Sequence, residues 1–503
     1  MYDVVIVGAG PSGLAASLKL AKLAKGIKVA VLEKASSVGG HLVSGAILEG
    51  YAYREHVEAR KLKSATAVVS DSTWHMTNTT HTDVSWLTPR ALSNADNVLV
   101  DVAELCQHMS REAETLGVNV ITRCAVSDVI MAGGSVVGVA LASGAKVASK
   151  HTMLAEGAKG SVTAKLLKRR LTTSADAFAL GLREERKRTN ASLCAGAVVH
   201  TLGWPSTWRG GLSGGFVYAY PQHVVIGYVK HMDYKSCHVC PHKEFEAFKA
   251  HPDVQALAGD GASTRYGARL IALNSVGAAS DACQPGCTIV GCAFGVVNVL
   301  KLKGLAKAIA SGERAAEQYA ANALKSACNT TGRWLTPQAE LELATARLVS
   351  AAIKRWGVVL SSALIVASRW LGLAAAGAGT SRAADASATA YATWCRPQRD
   401  WGVADNRDAA LTLSGLKYAP GTSHIKVSQA LAHKVYDLRL HSKMTAKFCP
   451  AGVYSWHKLL KHYEYAVRHE NCLQCKACCA KTAKLAISWA PAPAGGGPSY
   501  TAR

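Results

Sequence analysis

Acidic side chains are scarce in this chain: 34 Asp and Glu stand against 57 Lys and Arg across 503 residues, a formal charge of +23. Such a field disfavours basic partners and suits nucleic acid, anionic lipid or an acidic protein, each of which needs a local feature to gain weight. No nucleic-acid partner is expected. Charged residues reach only 18% while apolar ones make up 49%, which excludes a disordered or collagen-like chain. A disulfide scaffold is excluded as well. The 15 cysteines are mostly scattered singly and no secretory signal precedes Met1, so a reducing compartment is expected. The length permits about two to four domains of roughly 100–200 residues.

The chain opens on a motif. Asp3-Val-Val-Ile-Val7 is β-branched and nearly continuously apolar, the pattern of a parallel strand buried on both faces. Gly8-Ala-Gly10-Pro-Ser-Gly13 follows, then helical periodicity over residues 14–23. Gly8 permits a tight turn, Gly10 admits a pyrophosphate against backbone, and Gly13 lets the helix pack closely on the strand, with the helix N-terminus facing the phosphates. A second strand over 28–32 ends in Glu33, an acceptor placed for a ribose hydroxyl. Strand, glycines, helix, strand and acid in register predict a dinucleotide site. No second fingerprint occurs: Gly377-Ala-Gly379 lacks a preceding strand, so a separate nicotinamide domain is not expected.

Cys472-Leu-Gln-Cys475-Lys-Ala-Cys478 spaces three thiolates for three corners of an iron–sulfur cube. Thr482 stands where an unbroken run would place a fourth cysteine, and Cys449, followed by Pro450, supplies one from upstream. The predicted ligands are therefore Cys449, Cys472, Cys475 and Cys478, with Cys479 a spare neighbour. Structural zinc is the competing reading, because His457, His462 and His469 lie between, although zinc favours paired C-x-x-C units. A further pair, Cys237 and Cys240, falls between a strand-like run at 224–229 and a helix-like run at 243–250. It reads as a plain loop or as a redox or metal pair.

Gly39-Gly40-His41, just after Glu33-Lys34, is similar to flavoproteins that lay the rest of FAD across the sheet. Residues 152–157 with Gly160-Ser161, and Thr288-Ile-Val-Gly291-Cys-Ala-Phe-Gly295 opening into a helix over 301–319, look like the returning contacts. Cys292 stands where many FAD enzymes carry Asp. Further motifs are Gly40-His-Leu-Val-Ser-Gly-Ala46, Ala155-Glu-Gly-Ala-Lys-Gly-Ser161, His200-Thr-Leu-Gly-Trp-Pro205, Tyr266-Gly-Ala-Arg269, Asn298-Val299, Phe448-Cys-Pro-Ala-Gly-Val-Tyr454 and Gly495-Gly-Gly-Pro498. Over nearly its whole length the sequence resembles the electron transfer flavoprotein-ubiquinone oxidoreductases. It departs from them at Cys292, Leu300, Leu305 and Ala306, and in the Cys479-Ala-Lys-Thr-Ala-Lys484 segment, whose added positive charge should raise the potential of a nearby cluster.

The resemblance implies an α/β (α+β overall) protein: a Rossmann-like FAD domain, a strand-rich quinone domain and a C-terminal ferredoxin-like 4Fe-4S domain. It implies an electron-transferring-flavoprotein dehydrogenase holding FAD and one cluster, with electron transfer flavoprotein as donor and ubiquinone as acceptor. Gly8, Gly10, Gly13, Glu33, Lys34, Gly40, His41, Ser44, Gly157, Gly291, Cys292, Gly295, Asn298 and Val299 would line FAD, and Gly214 with Gly215 the quinone. The expected boundaries are 1–170 with 265–325 for FAD, 171–264 for quinone, 326–399 for a helical connector and 400–503 for the cluster.

Residues 356–379 are the most apolar long stretch. Arg369 in their middle disfavours a span and, with Trp356 and Trp370, suits a helix lying in the membrane surface; a buried core helix is the other reading. The expected location is the matrix face of the mitochondrial inner membrane, or the cytoplasmic face of a bacterial plasma membrane. Two other functions compete: a weakened relative serving as an accessory subunit of a larger respiratory assembly, and a membrane-associated FAD-dependent isoprenoid reductase.

Overall fold

The computed structural model describes residues 1–43, 45–87, 93–158, 160–167, 178–205, 212–234, 239–273, 283–298, 303–323, 405–418, 423–427, 444–458, 463–481, 487–490 and 495–500. Expectations at Ser44, Cys237, Val299 and the 356–379 stretch lie outside these residues.

Strand Tyr2–Val7 lies in the middle of an eight-stranded sheet, parallel to Val29–Leu32 on one side and to Lys146–Leu154 on the other. Its alternation separates two cores. Val4 and Ile6 pack with Leu14, Leu18, Leu105 and Ile309 of the helices on one face, while Val5 and Val7 pack with Val126, Val136 and Val139 on the other. Both faces being covered, the strand needs no polar residue, which is why it reads as a continuous apolar run. Helix Pro11–Leu23 starts at Gly10 with Pro11 at its first position, where the missing N–H costs nothing. Helix Val102–Thr115 is capped by Asp101, whose carboxylate accepts from Ala103 N and Glu104 N.

A second sheet of seven strands runs in the order Ser263–Ala272, Phe178–Lys187, His223–His231, Ser213–Ala219, Ala197–Gly203, Ser70–Met76, His81–Asp83. One face meets the nucleotide segment, with Val198, Tyr218 and Val225 against Ile47 and Leu99. The other carries helices Pro241–Ala250 and Pro252–Ala258 and, in the same core, the cysteine segment: Leu180, Leu270, Phe245, Phe448, Cys449, Tyr454 and Leu473. The sheet corrects the expected return of the nucleotide domain at 265. Strand Ser263–Ala272 pairs antiparallel with Phe178–Lys187 and belongs to the second sheet, as do the pairs drawn from residues 70–83. The sequence places it wrongly because its motif residues, Gly267 and Arg269, touch the nucleotide segment while its backbone pairs elsewhere.

Charge is buried between this sheet and helix Pro241–Ala250. Lys230, fully buried, pairs with buried Glu244 at 3.0 Å, and the Tyr228 hydroxyl lies 3.0 Å from the same carboxylate. A buried charge left without its partner is costly. Lys230→Met should therefore lower stability by about 3–5 kcal/mol, read as the urea midpoint at constant m-value; an unchanged midpoint would show that Glu244 is satisfied without the ammonium.

Candidate cofactor site

The turn after the first strand is shaped by approaches no side chain could share. Gly8 has φ +107° and an added Cβ would sit 2.6 Å from Ala155 O; at Gly13 it would sit 2.2 Å from Gly8 O. Gly10 is different. Nothing lies within 4 Å of where its Cβ would be, so open space faces the turn and the helix N-terminus. Glu33 borders that space, Oε2 accepting from Ala9 N (3.0 Å) and Oε1 from Ala35 N (2.8 Å), with lone pairs to spare for a ribose hydroxyl.

The returning segment meets the same turn. Gly291 (φ +65°) gives its N–H to Ser311 Oγ (2.9 Å), and an added Cβ there would lie 2.8 Å from Ser12 Cβ. Asn298 N–H donates to Lys303 O (2.9 Å), with Gly295 (φ +88°) between these two contacts, and helix Leu305–Ala323 follows. The helix begins later than the expected 301. Cys292 is half-buried and its thiol is pushed up by burial, so the neutral sulfur is a weak donor where Asp would be an acceptor.

Arg269 draws the pieces together, although the sequence quotes it only as part of a motif. Its Nη1 donates to His41 O (3.0 Å), Nη2 lies 3.4 Å from an added Cβ on Gly157, and its charge acts on Lys34, His41 and Cys292. Burial, then Lys34 and Arg269, holds His41 neutral, its pKa down to about 2. Gly40 O accepts from Tyr500 N (2.9 Å), so the C-terminal Gly495–Tyr500 stretch lies along the nucleotide segment.

The four predicted cysteines converge. Cys449, Cys472, Cys475 and Cys478 are all buried, and every one of them interacts electrostatically with the other three. Burial raises Cys449 to about 11 and Cys472 and Cys475 further, each proton held more tightly by the neighbouring thiolates. Only a cation in their midst would release those protons. Donors surround the sulfurs: Gln474 N at 3.3 Å from Cys472, the Trp489 indole at 3.2 Å from Cys478, and the amides of Ala451 and Val453 on Cys449 and of Ala477 on Cys475. Gln474 and Lys476 adopt positive φ, +51° and +65°, which wraps the loop around the thiols. Among the described residues, the group whose ligand atoms lie within 4.8 Å of one another is Glu55, His56 and Glu313, not these cysteines. Four convergent thiols suit a tetrahedral zinc or an iron–sulfur cube, and three cysteines spaced C-x-x-C-x-x-C with Cys449 as the fourth fit the cube.

Cys479 is half-buried beside Lys476. Lys481 turns its ammonium to Met232 O (2.8 Å) and Tyr234 O (2.5 Å), so this one of the two lysines expected to add charge after Cys478 is directed at the end of the second sheet; Lys484 lies outside the described residues. Cys240 is buried at the start of helix Pro241–Ala250. Gly214 and Gly215 lie within strand Ser213–Ala219, not in a turn between strands. An added Cβ on Gly215 would strike the Phe248 ring at 2.2 Å, so helix Pro241–Ala250 fills that face; Gly214 looks to the opposite face, beside Leu202 and Thr201 O.

The fold and the thiol set define a flavin-dependent oxidoreductase that carries an iron–sulfur domain. Residues 3–155 match the family model of FAD dependent oxidoreductases, 178–271 that of the ETF-QO ubiquinone-binding domain, and 407–501 that of the electron transfer flavoprotein-ubiquinone oxidoreductase 4Fe-4S domain. The chain is 30% identical to the mitochondrial electron transfer flavoprotein-ubiquinone oxidoreductase of Caenorhabditis elegans, over 99% of this chain and 91% of that one. It is 28% identical to the corresponding protein of Pseudomonas aeruginosa, over 99% and 98%. A geranylgeranyl bacteriochlorophyll reductase-like structure from Thermoplasma acidophilum shares the fold, with a TM-score of 0.55 and 16% identity over 76% of this chain and 93% of that one. The chain belongs to the electron transfer flavoprotein-ubiquinone oxidoreductase family.

Two sets of substitutions test the site. Because the space at Gly10 is empty of protein atoms, Gly10→Val should leave the melting temperature of flavin-free protein unchanged while abolishing FAD retention; a variant purifying with full FAD would displace the site. Serine at Cys449, Cys472, Cys475 or Cys478 should empty the cluster site of iron, whereas Cys479→Ser should retain it. The reverse pattern for Cys478 and Cys479 would reassign the ligands.

Proposed function

We propose that this chain takes electrons from reduced electron transfer flavoprotein and passes them to ubiquinone at a membrane surface. The observation that carries the reading is the joining of the thiol centre to the nucleotide segment. Lys34 Nζ donates to Gln474 Oε1 (2.9 Å), Gly495 N to Lys34 O (2.9 Å) and Tyr500 N to Gly40 O (2.9 Å). FAD and a 4Fe-4S cluster, when bound, supply the electron storage. The chain's residues bind and position them: Gly8, Gly10, Gly13 and Glu33 hold the nucleotide, Lys34, Gly40, His41, Gly157, Gly291, Cys292, Gly295 and Asn298 line it, and the four cysteines hold the cluster.

Quinone reduction consumes an electron pair and protons, so its site must reach the flavin from an apolar approach. Gly214 serves this reading, since it faces the nucleotide side of the sheet, where an added Cβ would lie 2.7 Å from Thr201 O, while the face of Gly215 is taken by Phe248. Membrane attachment is read as monotopic. No described helix is long and apolar enough to cross a membrane, and Trp86 and Leu87 are 80% and 57% exposed beside hairpin Ser70–Met76/His81–Asp83. Such side chains sit favourably among lipid headgroups, and the +23 charge adds attraction to anionic lipid. The proposed location is the matrix face of a mitochondrial inner membrane or the cytoplasmic face of a bacterial plasma membrane.

Anaerobic assays of the two half-reactions test the function. Reduced electron transfer flavoprotein should reduce the bound flavin, and a short-chain ubiquinone should reoxidise it. Intact cofactors with neither half-reaction would leave the accessory-subunit reading; flavin without iron would leave the isoprenoid reductase. The double variant Trp86→Glu, Leu87→Glu should sediment several-fold less with anionic liposomes and lose quinone reduction more than flavin reduction, and undiminished sedimentation would remove this turn from the membrane contact.

A further inference from the structure

One residue of the cysteine loop bonds to both centres. Gln474 lies between Cys472 and Cys475 with φ +51°, a left-handed conformation uncommon for a residue with a side chain. In that conformation its backbone N–H meets Cys472 Sγ at 3.3 Å, while its side chain runs to the nucleotide segment. Nε2 donates to Gly496 O (2.8 Å), which fixes the amide so that Oε1 accepts from Lys34 Nζ (2.9 Å). Gly497 makes the arrangement possible: an added Cβ would lie 2.4 Å from Gln474 Nε2 and 2.8 Å from His41 Nε2. Lys34 directly follows Glu33, so its side chain reaches from the ribose side of the nucleotide site to the cysteine loop.

We propose that Gln474 is a positioning residue that fixes the Lys34 ammonium against the cysteine loop, so that one charge, anchored beside the nucleotide site, raises the reduction potential of the cluster. A positive charge near a cluster stabilises the added electron, as do hydrogen bonds to the ligand sulfurs. A lysine without such an anchor would spread its ammonium toward water, where solvent screens its effect on the cluster. The Gln474 amide, clamped by Gly496, holds it. Two further cations face Lys34, Arg269 and Lys476, and two carboxylates, Glu33 and Glu156. Burial among these charges lowers the Lys34 pKa to about 7, so the charged form is measured at pH 6.

The inference rests on the cluster reading, and the experiment separates the two. Full-length protein, Lys34→Met, Gln474→Leu and the double variant are titrated at pH 6 against redox mediators, the cluster being followed by electron spin resonance, with iron and flavin content measured for each. Each single change should move the cluster midpoint to more negative potential, and the double variant should move it no further than the larger single shift, because both act through one bond. Lys34→Arg, which keeps the charge, should restore most of the midpoint. Equal midpoints throughout, additive shifts, or loss of the cluster in Lys34→Met but not in Gln474→Leu would overturn the proposal. Absence of iron and of the resonance signal in the unmutated protein would instead overturn the cluster reading.

Discussion

Four thiols buried in one apolar core keep their protons unless a cation shares that core. This constraint governs the described residues from 405 to 500. Cys449, Cys472, Cys475 and Cys478 lie in the same core as Leu180 and Leu270 of the second sheet and Phe245 of its covering helix. The thiol loop is stitched to the sheet edge as well, through Leu270 N to Cys475 O at 3.1 Å. Metal binding and packing are thus one event: deprotonated sulfurs are stable only when coordinated, and the coordinated loop presents the apolar side chains that the sheet requires.

The seam between the two centres has its own electrostatic logic. Lys34, Arg269 and Lys476 concentrate positive charge there, with Glu33 and Glu156 as the opposing acids. His41 is kept neutral by burial and by the first two cations. A seam of this sign favours bound phosphate on one side and added electrons on the other. Cys292 fits the same balance: an aspartate there would add an acid, whereas the half-buried thiol is held neutral.

Local signals were legible in the sequence and remote ones were not. Strand Tyr2–Val7, the glycine turn and strand Val29–Leu32 stand where the apolar run, the Gly spacing and Glu33 place them, because each is decided within a few residues. The four-cysteine set was legible for the same reason, apart from Cys449, which needed the neighbouring Pro450 to mark it. Arg269, Gln474 and Trp489 carry no such mark. Their partners His41, Lys34 and Cys478 include contacts across hundreds of residues, and nothing in the side-chain chemistry of Arg, Gln or Trp announces them. The boundary near 265 failed because strand Ser263–Ala272 turns one face to each domain, so its motif pointed one way and its hydrogen bonds another. The sequence offers Gly214-Gly215 as one quinone contact; the alternation of a strand divides the pair, packing Phe248 on the face of Gly215 and turning Gly214 to the opposite face beside Thr201 O.

The central claim is that one chain has a site for a flavin and a site for an iron–sulfur cube, the residues of the two being joined through a shared polar seam. Its most direct measurement is the metal, sulfide and flavin content of protein purified without air, together with the electron spin resonance of the reduced state. The account predicts about one FAD and about four irons per chain, with the signal of a reduced 4Fe-4S cluster. About one zinc per chain, with iron and that signal missing, would contradict it.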